Sequence, residues 1–268
     1  MGITASAQFG FDRRRLSLSL RKLPGMPALF SEDMRLDAEY ELGLGGRQVK
    51  ALADWLKWCG LAVRSGGSMQ LTSFGRVLLD SDPTLEQPTS WLALHHRLAG
   101  ERKGATAYWL TFRKTLEKIN REELISLMKR EEPGRRDRTY EDAYRNVAQI
   151  LANPEMSETA QIVRPQGSDY LRVANPPTVR APFVAWVLAD WRASLLSVQT
   201  VGLTELLAEN GPARPFRMTD DFLAGLLQEI AANEYGQWMT FSRTAGLDSV
   251  AFLSNPDPDQ LLAAAVTP

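Results

Sequence analysis

The sequence holds one cysteine, Cys59, and two histidines, His95 and His96. A single thiol excludes an intramolecular disulfide and any zinc site built on several cysteines. Cys59 falls on an apolar helical stripe, which makes it a core residue rather than a nucleophile. The histidines are adjacent in TSWLALHHRLA, so on a helix they point about 100° apart and cannot jointly grip a metal ion. His95 shares a face with Trp91, Leu94 and Leu98 and is expected to be a hydrogen-bonded core histidine; His96 is expected at the surface. The main enzyme signatures are missing as well: there is no GxxxxGK[ST] loop, no GxGxxG after a strand, no HExxH and no GxSxG elbow. No uninterrupted apolar run approaches the ~20 residues of a membrane-spanning helix. The N-terminal MGITASAQFGFDRRR lacks the apolar stretch of a secretory signal. A cytoplasmic protein with no membrane partner is the expectation.

Net charge is scarce too, 31 Lys and Arg against 32 Asp and Glu, which argues against non-specific coating of nucleic acid. Its distribution is uneven. Residues 1–78 hold 11 cationic and 7 acidic side chains, so that segment is +4 and the remainder −5. A locally basic module on an acidic body suits docking of one face on DNA, although scattered solvated charge gives the same balance. The chain of 268 residues, 44% apolar and 24% charged, is otherwise an ordinary globular composition.

The informative stretch is LGLGGRQVKALADWLKWCGL, residues 42–61. Ser31 is expected to cap a first helix with Glu32 and Asp33 in its first turn, ending at Gly43. Gly45 and Gly46 are read as a tight turn with positive φ. A second helix then runs to about Cys59, with Val49, Leu52, Leu56 and Cys59 inward. Arg47, Gln48 and Lys50 stand outward at its start, where free amides and two cations suit a phosphate. Residues 62–64 and 69–71 flank Gly66-Gly67 as a hairpin, and Thr72 opens another helix. Helix, turn, helix, hairpin, helix is the winged-helix order, in which the second helix enters the major groove. Arg64, on the first hairpin strand, is placed for an adjacent phosphate. Winged helices also serve as protein-docking modules, and both uses stay open.

From Pro88 the chain reads as helical, with Trp109, Phe112, Leu116 and Ile119 on one face of a further helix. Residues 129–138 form a mixed-charge, proline-broken loop. Asp137, Glu141 and Asp142 are close enough in sequence to supply oxygen ligands to Mg²⁺, but an ordinary solvated helix start around Tyr140 is the favoured reading. Residues 153–182 are proline-rich and read as irregular chain, with a hairpin around Gln166-Gly167. The last third carries an apolar helix in PFVAWVLADWRASLLSV, a short one in TELLAEN, and a third capped by Thr219 with Phe222, Leu223, Leu226, Leu227 and Ile230 inward. Strand, turn, strand follows in QWMTFSRTAGLDSVAFL. This block lacks a basic second helix, so packing or homodimerisation is its expected role. The expected architecture is mainly α, with winged-helix modules at both ends, a helical middle and a few short hairpins, divided as 1–82, 83–152 and 153–268.

LGLGGRQVKALADWL, LTSFGRVLL, DPTLEQPTSWLALHHRLA, AYWLTF, APFVAWVLADW and TAGLDSV resemble, in order and over nearly the whole chain, a bacterial domain-of-unknown-function family found in operons for DNA phosphorothioation and phage defence. Its members include the SspB-like component regarded as the DNA-nicking protein. By position, Gly43, Gly45, Val49 and the Trp55 region match the family's turn and second helix, His95 its histidine, and Trp109 and Phe112 its aromatic pair. This chain departs from the usual pattern at Gly46 and Arg47, where the family has Lys then Asn. It has GFDRRR where the family starts His-Glu-Thr-Phe, and Arg13, Arg14 and Arg15 become candidate phosphate contacts. The resemblance implies double-stranded DNA, an ATPase, a sulfurtransferase-like enzyme and a cysteine desulfurase as partners, with Mg²⁺ as cofactor only where nicking is intrinsic. A non-catalytic DNA-binding adaptor or regulator is the rival expectation.

Overall fold

In a computed structural model, residues 11–100, 105–114, 116–195, 199–244 and 247–267 are described. The first helix, α1 (Arg13–Lys22), is capped by Asp12, whose carboxylate accepts from the Arg15 amide at 3.0 Å. α2 (Arg35–Leu42) starts three residues later than a cap at Ser31 implies, with Met34 as its N-cap. The Ser31 hydroxyl accepts from the Met34 amide at 3.4 Å inside a turn, so the serine closes that turn instead of opening the helix. α2 ends on Gly43, at φ +62°. The left-handed residue is therefore Gly43, not Gly45 or Gly46. Gly45 has φ −76° and is the N-cap of α3 (Gly46–Trp58), and Gly46 is its first helical residue.

The hairpin follows as expected. β1 (Ala62–Ser65) pairs antiparallel with β2 (Ser68–Leu71) in the register Ala62↔Leu71 to Ser65↔Ser68. The two-residue turn is Gly66-Gly67, at φ +53° and +84°, the pair of positive angles a type I′ turn requires. Thr72 then caps α4 (Ser73–Ser81), its hydroxyl accepting from the Gly75 amide at 3.0 Å and donating to the Gly60 carbonyl at 2.5 Å. α4 thus presses on the chain entering the hairpin. A Cβ on Gly75 would lie 2.0 Å from the Leu61 carbonyl oxygen, and backbone cannot swing aside as a side chain can. Gly75→Ala is expected to cost about 2 kcal/mol through overpacking, read as a lower urea midpoint with unchanged m. A variant as stable as the parent would show that the hairpin base yields freely.

The middle is helical: α5 (Pro88–Gly100), α6 (Thr106–Arg113), α7 (Arg121–Glu131) and α8 (Asp137–Leu151), with the two-residue strand β3 (Lys118–Ile119) between α6 and α7. The periodicity that extends α6 through Leu116 and Ile119 fails, because Lys114 is extended and Ile119 turns into β3, pairing with Tyr170. The loop between α7 and α8 is short and bridged by Lys129 to Asp137 at 2.7 Å. A turn of π-helix (Glu155–Thr159) leads into β4 (Val163–Gln166) and β5 (Asp169–Arg172), so the proline-rich segment does contain its hairpin, with β5 the centre of a sheet ordered β3-β5-β4.

The last third contains α9 (Ala181–Ala193), β6 (Thr200–Gly202), α10 (Leu203–Leu207), α11 (Asp220–Ala232), β7 (Met239–Ser242), β8 (Ser249–Phe252) and α12 (Pro258–Val266). β6 joins the expected hairpin as a third strand, in the order β6-β8-β7. The tip of that hairpin, residues 245–246, and the N-terminal residues 1–10 lie outside the described residues. Thr219 is the N-cap of α11, but its hydroxyl accepts from the Asn175 side-chain amide at 3.1 Å and does not cap the helix itself. α12 packs on both α9 and α4, and the apolar interiors of all three thirds run together as one cluster. Among the described residues the protein is mainly helical, with three small antiparallel sheets.

Candidate functional site

The start of α3 keeps its cations free. Arg47 and Lys50 are exposed, and among the described residues neither is in an ion pair. Between them Val49 is 6% exposed and, one turn on, Leu52 and Ala53 are buried, which fixes the helix on the core and leaves Arg47 and Lys50 to solvent. Gln48 points back along the chain instead. Its side-chain oxygen accepts from the Gly45 amide at 3.1 Å, so it caps its own helix. Gly45 is exposed and Gly46 half-buried in that same turn. Arg64 is exposed on β1, directly opposite Met69 and also outside any ion pair among the described residues. The arginines of α1 are more committed. Arg13 reaches Glu86 at 3.0 Å and Glu155 at 3.5 Å, and Arg15 reaches Asp12 at 3.0 Å, while Arg14 is exposed. The same N-terminal part also exposes apolar side chains: Leu36 and Tyr40, one turn apart on α2, are 73% and 86% exposed, and Val63 on β1 is 49% exposed.

His95 is fully buried, as its spacing indicates. Its Nδ1 is 2.7 Å from the Tyr108 hydroxyl and its Nε2 is 3.2 Å from the Pro215 carbonyl, in a cage of Tyr108, Phe112 and Phe216 rings. The carbonyl can only accept, so Nε2 carries the proton. Burial lowers the His95 pKa to about 3 and keeps the ring neutral. His96 corrects the expectation of exposure: it is only 5% exposed. α5 is covered on every side, so a residue next to the buried stripe is buried as well. His96 Nε2 lies 3.2 Å from Asp190 Oδ2 on α9, and Arg97 donates to the other carboxylate oxygen at 2.6 Å. Burial lowers the His96 pKa against the pull of Asp190. Burial also opposes the Asp190 charge, yet the hydrogen bonds from His96 and Arg97 outweigh it and hold that carboxyl below the usual range.

Asp190 is distant from His96 in sequence, and periodicity cannot pair them. The available signal was one carboxylate at the end of the otherwise apolar PFVAWVLAD. Burial makes such a group costly unless it is paired. The acidic set Asp137, Glu141 and Asp142 does not fit Mg²⁺. Asp137 is held by Lys129, Glu141 by Arg121, and Asp142 by Arg145 at 3.1 Å, so their oxygens serve cations already present. Among the described residues no group of three His, Cys, Asp or Glu side chains is placed to hold a metal ion. No described helix is long and apolar enough to cross a membrane.

Comparison with known proteins gives two findings. Residues 20–148 match a family described as a protein of unknown function, DUF4007. Two crystal structures of SspB match nearly the whole chain. The structure described as magnesium ion-bound SspB superposes with a TM-score of 0.81 at 20% identity, covering 99% of this chain and 86% of that one. A second SspB structure gives a TM-score of 0.80 at 19% identity over the same shares. No curated protein sequence matches. The chain is similar to DUF4007 over that segment and has an SspB-like fold.

Proposed function

We propose that this protein binds duplex DNA through α3 and the β1–β2 hairpin, acting as a winged-helix DNA-binding component of a phosphorothioation-type modification and anti-phage defence system. In that system it introduces or supports the single-strand nick at which sulfur is inserted. The observation that carries the reading is the pair Arg47 and Lys50, exposed and outside any ion pair at the first turn of a helix whose other face is locked into the core. The SspB-like fold and the DUF4007 match support the choice of system. An ATPase, a sulfurtransferase-like enzyme and a cysteine desulfurase are the proposed protein partners. Among the described residues Asp137, Glu141 and Asp142 are engaged by Lys129, Arg121 and Arg145, so no step is routed through a metal there.

The Arg47→Ala/Lys50→Ala double variant tests the interface. Each lost phosphate contact should reduce the log–log salt slope of duplex affinity by about 0.9, while a lost base contact costs roughly 1–3 kcal/mol on the preferred sequence alone. Arg47→Ala is expected to blunt sequence preference, and Lys50→Ala or Arg64→Ala to weaken all duplexes alike. Neither Arg47 nor Lys50 belongs to the apolar stripe, so the melting temperature should stay near that of the parent. Unchanged affinity in the double variant at every salt concentration would remove α3 as the DNA reader.

A second reading, a non-catalytic adaptor, draws on Leu36, Tyr40 and Val63, apolar side chains left in solvent beside the basic helix. Supercoiled plasmid incubated with the pure protein, with Mg²⁺ or with EDTA, separates the two. Metal-dependent nicking supports the enzyme; intact binding without nicking supports the adaptor.

A further inference from the structure

A cleft of about 320 Å³ opens where the C-terminal ends of α3, α5, α6 and α9 meet, well away from the first turn of α3. Its volume sits at the lower limit of small-ligand sites, ~300 Å³, which suits one compact ligand. Three cations line it, Lys57, Arg97 and Arg113, with one carboxylate, Asp190, in the lining; Lys57, half in solvent, also reaches Asp54 outside the cleft at 3.3 Å. The Asp190 carboxylate is already shared between His96 and Arg97. Arg113 is 4% exposed and donates to the backbone carbonyls of Ala99 at 2.7 Å, Gly211 at 2.5 Å and Glu209 at 3.3 Å, and among the described residues no carboxylate is within ion-pair distance of it.

Two buried polar atoms of the same cluster have no hydrogen-bond partner among the described residues: Arg97 Nε and His96 Nδ1. They have opposite needs. Arg97 Nε–H can only donate. His96 gives its Nε2 proton to the Asp190 carboxylate, since two acceptors would repel, and is left with a bare lone pair on Nδ1. A ligand that completes the cluster must offer an acceptor and a donor together. A fully ionised phosphate offers acceptors alone and would face the Nδ1 lone pair. The edge of a nucleobase offers both. Trp58 and Trp191, both half-buried, line the same cleft and present flat apolar surface to such a base.

We propose that this cleft binds a single nucleotide, its base among Trp58, Trp191 and the His96–Arg97 pair and its phosphate on Lys57 and Arg113. The nucleotide is either free in solution or one residue of an unpaired DNA strand. This site does not rest on α3 as the duplex reader.

Tryptophan fluorescence and calorimetry of the full chain test it, with deoxynucleoside 5′-monophosphates, deoxynucleosides, inorganic phosphate and a short single-stranded oligonucleotide as probes. The monophosphates are expected to quench fluorescence and bind at least tenfold more tightly than inorganic phosphate. Trp191→Leu should weaken them about tenfold. Lys57→Ala, at an exposed position, should weaken monophosphates and leave deoxynucleosides unchanged. His96→Phe, which keeps a planar ring and removes the acceptor, should weaken both. The Arg47→Ala/Lys50→Ala variant should bind monophosphates as the parent does, which separates this site from the duplex interface. Binding of the oligonucleotide with no response to monophosphates assigns the ligand to the strand. No response to either overturns the proposal. So does inorganic phosphate binding as tightly as the nucleotides, or binding indifferent to both Trp191→Leu and Lys57→Ala.

Discussion

Arg172→Ala is expected to lower stability by roughly 3–5 kcal/mol, the combined effect of a few buried carbonyls left unsatisfied at about 1–3 kcal/mol each. Arg172 is 5% exposed on the central strand β5. Its guanidinium has no carboxylate within ion-pair distance among the described residues; it serves four backbone carbonyls instead. One terminal nitrogen donates to Lys114 at 3.2 Å and Leu116 at 3.4 Å, the other to Arg214 at 3.1 Å and Pro215 at 3.2 Å. It also lies 5.1 Å from the centre of the Phe112 ring. Burial, with Arg214 and Arg217 nearby, lowers its pKa to about 9, so it remains charged at neutral pH. Removing it leaves several buried acceptors unsatisfied and opens a space beside Phe112. For a chain of this size the loss corresponds to a fall of roughly 6–20 °C in melting temperature. Lysine should not rescue, because one ammonium cannot fork toward two loops. A stability within about 1 kcal/mol of the parent, the typical cost of an ordinary point substitution, would refute this assignment.

Acid should destabilise the protein well above the carboxylate range. His95 has a folded pKa near 3 against 6.5 for a free histidine. Between those values the unfolded chain binds a proton that the folded chain refuses. The stability contribution is therefore complete above pH 6.5 and is lost as pH falls toward 3, with a slope of about 1.4 kcal/mol per pH unit. From pH 6.5 to 4.5 His95 alone accounts for roughly 3 kcal/mol. His96, also lowered by burial, acts in the same direction. Urea unfolding at a series of pH values should show this decline in the parent. His95→Gln should be less stable at pH 7, having lost contacts to Tyr108 and Pro215, but its acid slope should be shallower by one proton. Parallel slopes in parent and variant would mean that His95 is protonated in the folded state. At a temperature where the variant stays folded, any duplex binding through the proposed α3 interface should match the parent, since the ring is sealed from solvent.

Local signals were legible where short-range chemistry settles the backbone. Gly66-Gly67 marked a hairpin, Thr72 marked a helix start, and the stripe Val49, Leu52, Leu56 and Cys59 marked the buried face of α3. Those same signals misplaced the left-handed glycine by two or three positions, because LGLGG offers three candidates and only the packing of α2 selects Gly43. Ser31 failed as a cap for a similar reason: a hydroxyl that can bond a turn amide serves turn and helix alike. The periodicity of Leu116 and Ile119 suits a helix, but strand pairing with β5, invisible locally, took Ile119. What could not be read at all was long-range polar pairing. His96 with Asp190, and Arg172 and Arg113 with loop carbonyls, join side chains from separate thirds of the chain, and no spacing rule links them. The exposed cations of α3 were legible because exposure follows from the stripe they avoid; the cleft was not, because it is made of helix ends.

The last helix is also a partner of the first third. α12 lays Leu262 and Val266, both buried, into a surface shared by α4 and α9, beside the stacked rings of Phe74 and Trp186. On the ribosome, the segment from α1 to the hairpin emerges long before the helix that covers it. Until α12 is released, α4 has an uncovered apolar flank, and its closure is a contact between elements far apart in the sequence. Such a contact forms late and slowly, since the loop it closes, from α4 to α12, spans about two thirds of the sequence. A nascent or prematurely terminated chain therefore presents its N-terminal part unfinished, and quality control meets it as a sticky surface.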